Sequence, residues 1–128
     1  MAILRSNVIN ILLGVHIFAG VIALLSAALA LSTEKGKKFH VLSGKFYFWA
    51  MVLIFLTAIP MSIINSNVFL FLVAIFSFYL AFSGMRFARN RKGIPARIDL
   101  IAVNFMFLSG AGMWILAIIF VINNNSQF

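Results

Sequence analysis

The chain has 128 residues, of which 64% are hydrophobic, 15% aromatic and 9% charged, and it carries a net charge of +8. A soluble domain holds about 45–50% apolar and about 25% charged residues, so both figures point to lipid. The basic residues fall in short clusters between long apolar runs, which leaves no polar surface for nucleic acid; the lack of cysteine excludes disulfides, thiolate metal sites and cysteine nucleophiles.

A helix crosses the hydrocarbon core with about 17–25 apolar residues, and four runs fall in that range. The first is Val8–Leu31. Arg5 before it and the "ALA" of Ala28–Ala30 imitate a signal peptide, but a signal's apolar region is only about 7–15 residues long. A retained helix is therefore expected. The second run is Phe46–Ile64, with Pro60 predicted to kink its outer end. Asn65, Ser66 and Asn67 alone separate it from the third, Val68–Met85, so these two runs are predicted to form a tight antiparallel hairpin. Gly93 and Pro95 break the chain before the fourth run, Leu100–Ile122. Asp99 precedes it, where a carboxylate suits the positive end of a helix dipole.

The alternation of apolar and polar residues that a membrane β-barrel needs is absent, and lipid offers no partner to open backbone, so helices are required. The expected fold is all-α: an integral membrane, antiparallel bundle of four transmembrane helices, forming one domain over residues 1–128. Charge sets its orientation. The first loop and the following helix mouth hold Lys35, Lys37, Lys38 and Lys45, with His40 among them. The third loop holds Arg86, Arg89, Arg91, Lys92 and Arg97, whereas the second loop and the tail hold no charge. The positive-inside rule then puts both termini outside, and Tyr47 and Trp49 join an interfacial aromatic belt. This basic rim suits anionic lipid headgroups.

Depth follows from a rise of about 1.5 Å per residue. His16 falls level with Thr57, Phe76, Ser77, Met113 and Trp114. A second, inner polar layer is expected from Ser26, Tyr47, Ser83 and Asn104. Polar groups at such depth mark helix-to-helix hydrogen bonds or a functional path. His16, Gly20, Ala23, Ala27 and Ala30 recur at heptad spacing, a stripe of small residues beneath the histidine, matched by "SGAG" at Ser109–Gly112, and the plain reading is that these two helices meet there.

The sharper reading starts from a repeat. "HIFAG" at His16 and "HVLSG" at His40 each place a glycine one turn after a histidine, clearing room beside the imidazole. Haem b is the ligand to test, since imidazole and methionine sulfur are common axial donors. His16 and His40 lie about 20 Å apart in depth and cannot share one haem. His16 with Met113 is the compatible pair, with Gly20 and Trp114 beside it; a quinone lodged between His16, Trp114 and the phenylalanines is the other option. At the rim, His40, Glu34 and Asp99 lack any metal-ligand spacing, so no metal site is expected.

Lys35-Gly36, His40, Gly44, Tyr47 and Met51, preceded by His16 in the first helix, resemble the motif of a family of small bacterial membrane proteins catalogued as domain of unknown function 2306. The "RKGIPARID" stretch adds weaker support; the chain is shorter than many relatives, and its other helices match in hydropathy alone. The resemblance implies a multi-pass helical protein of the bacterial inner membrane in which both histidines are motif positions. It implies no activity.

No Ser/His/Asp set, paired intramembrane carboxylates, H-E-x-x-H or phosphate-cradling loop occurs, so no catalytic residues are expected. Three functions remain. The first is a structural or accessory subunit, within a homo-oligomer or a larger membrane complex. The second is a haem- or quinone-binding redox protein using His16. The third is an oligomeric solute or ion conduit.

Overall fold

The computed structural model describes residues 2–90 and 93–125. Its helices, in chain order, are α1 (Ala2–Ser32), α2 (Lys38–Ile64), α3 (Val68–Arg89) and α4 (Arg97–Asn125), and no strand occurs among the described residues. All four are long and apolar enough to cross a membrane. Each extends past at least one end of its apolar run, because backbone hydrogen bonding does not stop where hydropathy falls. Lys38, His40 and Lys45 accordingly stand on the first turns of α2, and Arg86 and Arg89 on the last turn of α3.

The chain divides into two compact helical hairpins, α1–α2 and α3–α4. In the first, Arg5 meets Ile64, His16 meets Thr57, and His40 meets Ala30. Positions rise along α1 as their partners fall along α2, which fixes an antiparallel register. Small side chains line the contact: Ala19, Ala23 and Ser26 are buried on α1, and Ser43, Ala50, Thr57 and Ser62 on α2. Without bulky side chains between them, backbones approach closely. The Arg5 guanidinium donates to the carbonyl of Ile64, one of the orphan acceptors at the end of α2, where a cation also suits the dipole. α2 runs through Pro60, whose ring nitrogen has no hydrogen for the Leu56 carbonyl.

The α1–α2 turn depends on Gly36, at φ +85°, followed by the Lys37 N–H donating to the Glu34 carbonyl at 3.2 Å. A side chain at that left-handed position costs roughly 1–2 kcal/mol. Gly36→Ala is thus expected to destabilise the hairpin by that amount. Gly14→Ala, on a helical backbone with open space around it, should instead be neutral or slightly stabilising. Denaturant unfolding in detergent separates the two.

In the second hairpin, Arg86 meets Asp99 near the connection, and Gly112 comes up against Leu72 farther along, again an antiparallel register. Asn67 caps α3, its side-chain oxygen accepting from the Leu70 N–H at 3.1 Å. The "SGAG" segment faces α3: Ser109 is buried, and a methyl group added at Gly112 would lie 3.0 Å from a Leu72 methyl carbon. The α3–α4 connection is tied by Asn90, which donates from its amide to the Ile94 carbonyl at 2.7 Å.

Candidate functional site

One polar contact of the first hairpin is His16 Nδ1 to Thr57 Oγ1, 2.9 Å, in the partly buried face between α1 and α2. The Thr57 hydroxyl also lies 3.0 Å from the Leu53 carbonyl and 2.9 Å from that of Ile54. Those carbonyls can only accept. With the single Thr57 hydrogen given to its own helix, the hydroxyl offers a lone pair to His16, and Nδ1 is then the nitrogen that carries the proton. In the neutral ring, the free lone pair then belongs to Nε2.

His40 follows the same rule more simply. Its Nδ1 is 2.9 Å from the Ala30 carbonyl, an acceptor only, so this nitrogen is the donor. Ala30 lies 14 residues beyond His16 on α1, about 21 Å along the axis. The two imidazoles occupy opposite parts of one hairpin and cannot ligate one iron. Gly20 and Gly44 each leave open space within their hairpin: a methyl group at either would meet nothing there within 4 Å. Met113 and Trp114 stand on α4, Met113 partly covered and Trp114 exposed.

The inner-layer residues have different surroundings. Ser26 is buried and Tyr47 half-buried. Ser83 donates to the Leu80 carbonyl and Asn104 to that of Leu100, each within its own helix. Such bonds satisfy a polar group without a partner helix.

The basic rim has two unlike parts. Lys37 and Lys38 stand at the start of α2, where positive charge opposes the helix dipole, so helix stability does not explain them. Glu34 and Lys37 form an exposed ion pair at 2.6 Å, a kind that contributes little. Lys35 and Lys45 are exposed as well. At the far connection, Arg86 and Arg89 complement the C-terminal end of α3. Arg97 opens α4 and is exposed; Arg91 and Lys92 lie outside the described residues.

Hydropathy and charge counting do not reveal one polar cluster of the second hairpin. Arg86 Nε donates to Asp99 Oδ1 at 2.9 Å and Nη2 to Oδ2 at 3.1 Å, a two-pronged ion pair closing the α3–α4 connection. Asp99 Oδ2 also accepts from the Ala96 N–H at 2.8 Å, so one carboxylate caps α4 and anchors α3. The available signal is a lone acidic residue after a Gly/Pro break, with arginines on the other side. Above this pair lies an open cleft of about 270 Å³, lined chiefly by apolar side chains of α3 and α4.

Comparison with known protein families, curated proteins and solved structures yields no match.

Proposed function

We propose that the chain is a multi-pass protein of the bacterial inner membrane, with both termini outside, and that it serves as a structural or accessory subunit. The observation carrying this reading is where its polar atoms go. His16 is engaged by Thr57, and the hydroxyls of Thr57, Ser62, Ser77 and Ser109 donate to carbonyls of their own helices. The outer faces meanwhile expose Phe18, Trp49, Phe107 and Phe120, the residues a bilayer or a larger assembly would cover. The resemblance to the family catalogued as domain of unknown function 2306 agrees with this reading.

The hydrogen bond from His16 Nδ1 to Thr57 supports a second reading, in which the chain binds haem. Imidazoles that ligate a metal usually donate their other N–H to a nearby acceptor, as His16 donates to Thr57. His16 Nε2 would then be the axial ligand, Thr57 would orient the ring, and Gly20 would leave room beside it. The bound group would supply one-electron chemistry.

One purification tests both. The protein is extracted in mild detergent from haem-replete cells, and its absorption spectrum and particle mass are measured for wild type and His16→Ala. The structural reading expects a colourless protein in a particle heavier than one chain. A Soret band that shifts on reduction and vanishes in His16→Ala would replace it with the redox reading. Reporters fused to each terminus check the orientation, which a cytoplasmic C-terminus would overturn.

A further inference from the structure

The cleft of the second hairpin has an ordered lining. Tyr79, Phe82, Ser83, Arg86, Phe87 and Asn90 recur at spacings of three and four, so they form one face of α3 running toward its C-terminal end. The facing wall is Asp99, Ala102 and Val103 of α4. The cleft is therefore graded along the helix axes. One end is aromatic and aliphatic; the other holds a guanidinium, a carboxylate and an amide.

Three observations specify an occupant. The first is charge. Arg86 and Asp99, the charged residues of the lining, offset each other, and the exposed Arg89 and Arg97 add positive charge on the adjoining helix ends outside it. The two-pronged pair uses two of the five guanidinium N–H groups, so Arg86 keeps donors for an anion's oxygen. The second is size. At about 270 Å³ the cleft lies below the roughly 300–1,000 Å³ of sites that enclose a whole ligand. It suits part of an amphiphile whose remainder stays outside. The third is the lip: Phe87, beside Arg86, is 81% exposed, a large ring at the polar end of the helix.

We propose that this cleft binds one anionic phospholipid, with its phosphate on the free N–H groups of Arg86 and one acyl chain lying along Phe82 and Val103 toward Tyr79. The inference rests on the membrane reading above, because a bilayer surrounds the cleft with ligands graded in this way. Asp99 is the positioning residue. It holds the guanidinium across the α3–α4 connection, so the arginine meets the headgroup in one orientation and does not sweep freely through solvent.

Native mass spectrometry of detergent-purified protein tests the proposal, with phosphatidylglycerol and phosphatidylcholine of identical chains offered in equal amounts. One phosphatidylglycerol retained per chain, with at least a tenfold preference, is expected. Arg86→Gln should abolish the preference. Ala102→Leu, which fills the cleft while leaving the ion pair intact, should abolish retention itself. Circular dichroism confirms that each variant keeps its helices. Equal retention of the two lipids, or undiminished retention by Ala102→Leu, overturns the proposal. Competition by inorganic phosphate would assign the site to small anions and also overturn it. Failure of the membrane reading is seen separately, as recovery of the protein in the soluble fraction without detergent.

Discussion

Ala19→Leu should open the α1–α2 hairpin. Ala19 is fully buried, and its neighbours on the contact face, Ala23 at 5% exposure and Ala50 at 6%, are as small. Leucine adds three heavy atoms on a face where the helices pack through buried alanines. Overpacking of this kind costs typically about 1–3 kcal/mol, and rigid helices cannot relieve it by moving one side chain. The helices must separate, and the His16–Thr57 and His40–Ala30 bonds would lengthen with them. Because the chain has no cysteine, the separation can be read directly from an engineered pair, Ser26→Cys with Ser43→Cys. Both serines are buried on the facing helices, near matched positions in the register. Disulfide formation should be efficient in the otherwise native chain and strongly reduced when Ala19→Leu is added. Undiminished formation would mean that the alanine face is not the close contact.

Gly112→Leu should do comparable damage to the second hairpin, and by a mechanism that can be reversed. The first carbon of any side chain at Gly112 already lies 3.0 Å from a Leu72 methyl carbon. Gly112→Ala is absorbed by a shift of a few tenths of an ångström in a flexible leucine. The branched end of a leucine cannot be, and a loss of about 1–3 kcal/mol is expected in denaturant unfolding. Leu72→Ala alone leaves a gap. The double variant Gly112→Leu with Leu72→Ala restores volume across the interface, so it should be more stable than Gly112→Leu alone. A purely additive pair would show that the two residues do not share the contact.

How much of this could be read from residues alone depended on which force set each feature. Four spans long and apolar enough for a membrane are visible in composition, because hydrocarbon imposes one length and one secondary structure. The level of His16 with Thr57 also follows from counting rise per residue, and the structure joins them by a hydrogen bond. The stripe of α1 is expected to meet "SGAG" of the fourth helix, yet within the hairpins its small residues lie against α2, while Ser109 and Gly112 lie against α3. The buried centre on α1 is Ala19, Ala23 and Ser26, two of them one position from the heptad series at Gly20 and Ala27. A seven-residue repeat cannot resolve which neighbouring small residue is deepest when most of them are small. Helix ends were the least legible. Lys38 and His40 stand on α2 because a polar sequence continues a helix as readily as an apolar one. The Arg86–Asp99 pair was hidden for another reason: its partners stand on different helices, and only the antiparallel return of α4 on α3 brings them together.

The hydroxyls that bond their own helices have a consequence for how such a chain is made. Ser62, Ser77 and Ser109 each find their acceptor three or four residues back, so they arrive paired as soon as their helix forms. On the membrane reading, those helices can leave the insertion machinery one at a time without carrying a bare hydroxyl into oil. His16 is different. Its acceptor belongs to α2, so α1 alone would hold an unsatisfied imbedded ring until Thr57 is synthesised 41 residues later. Biogenesis of the first hairpin is thereby tied to its second helix: α1 gains a settled position only when α2 joins it, and a ribosome stalled between them should leave α1 lingering at the translocon.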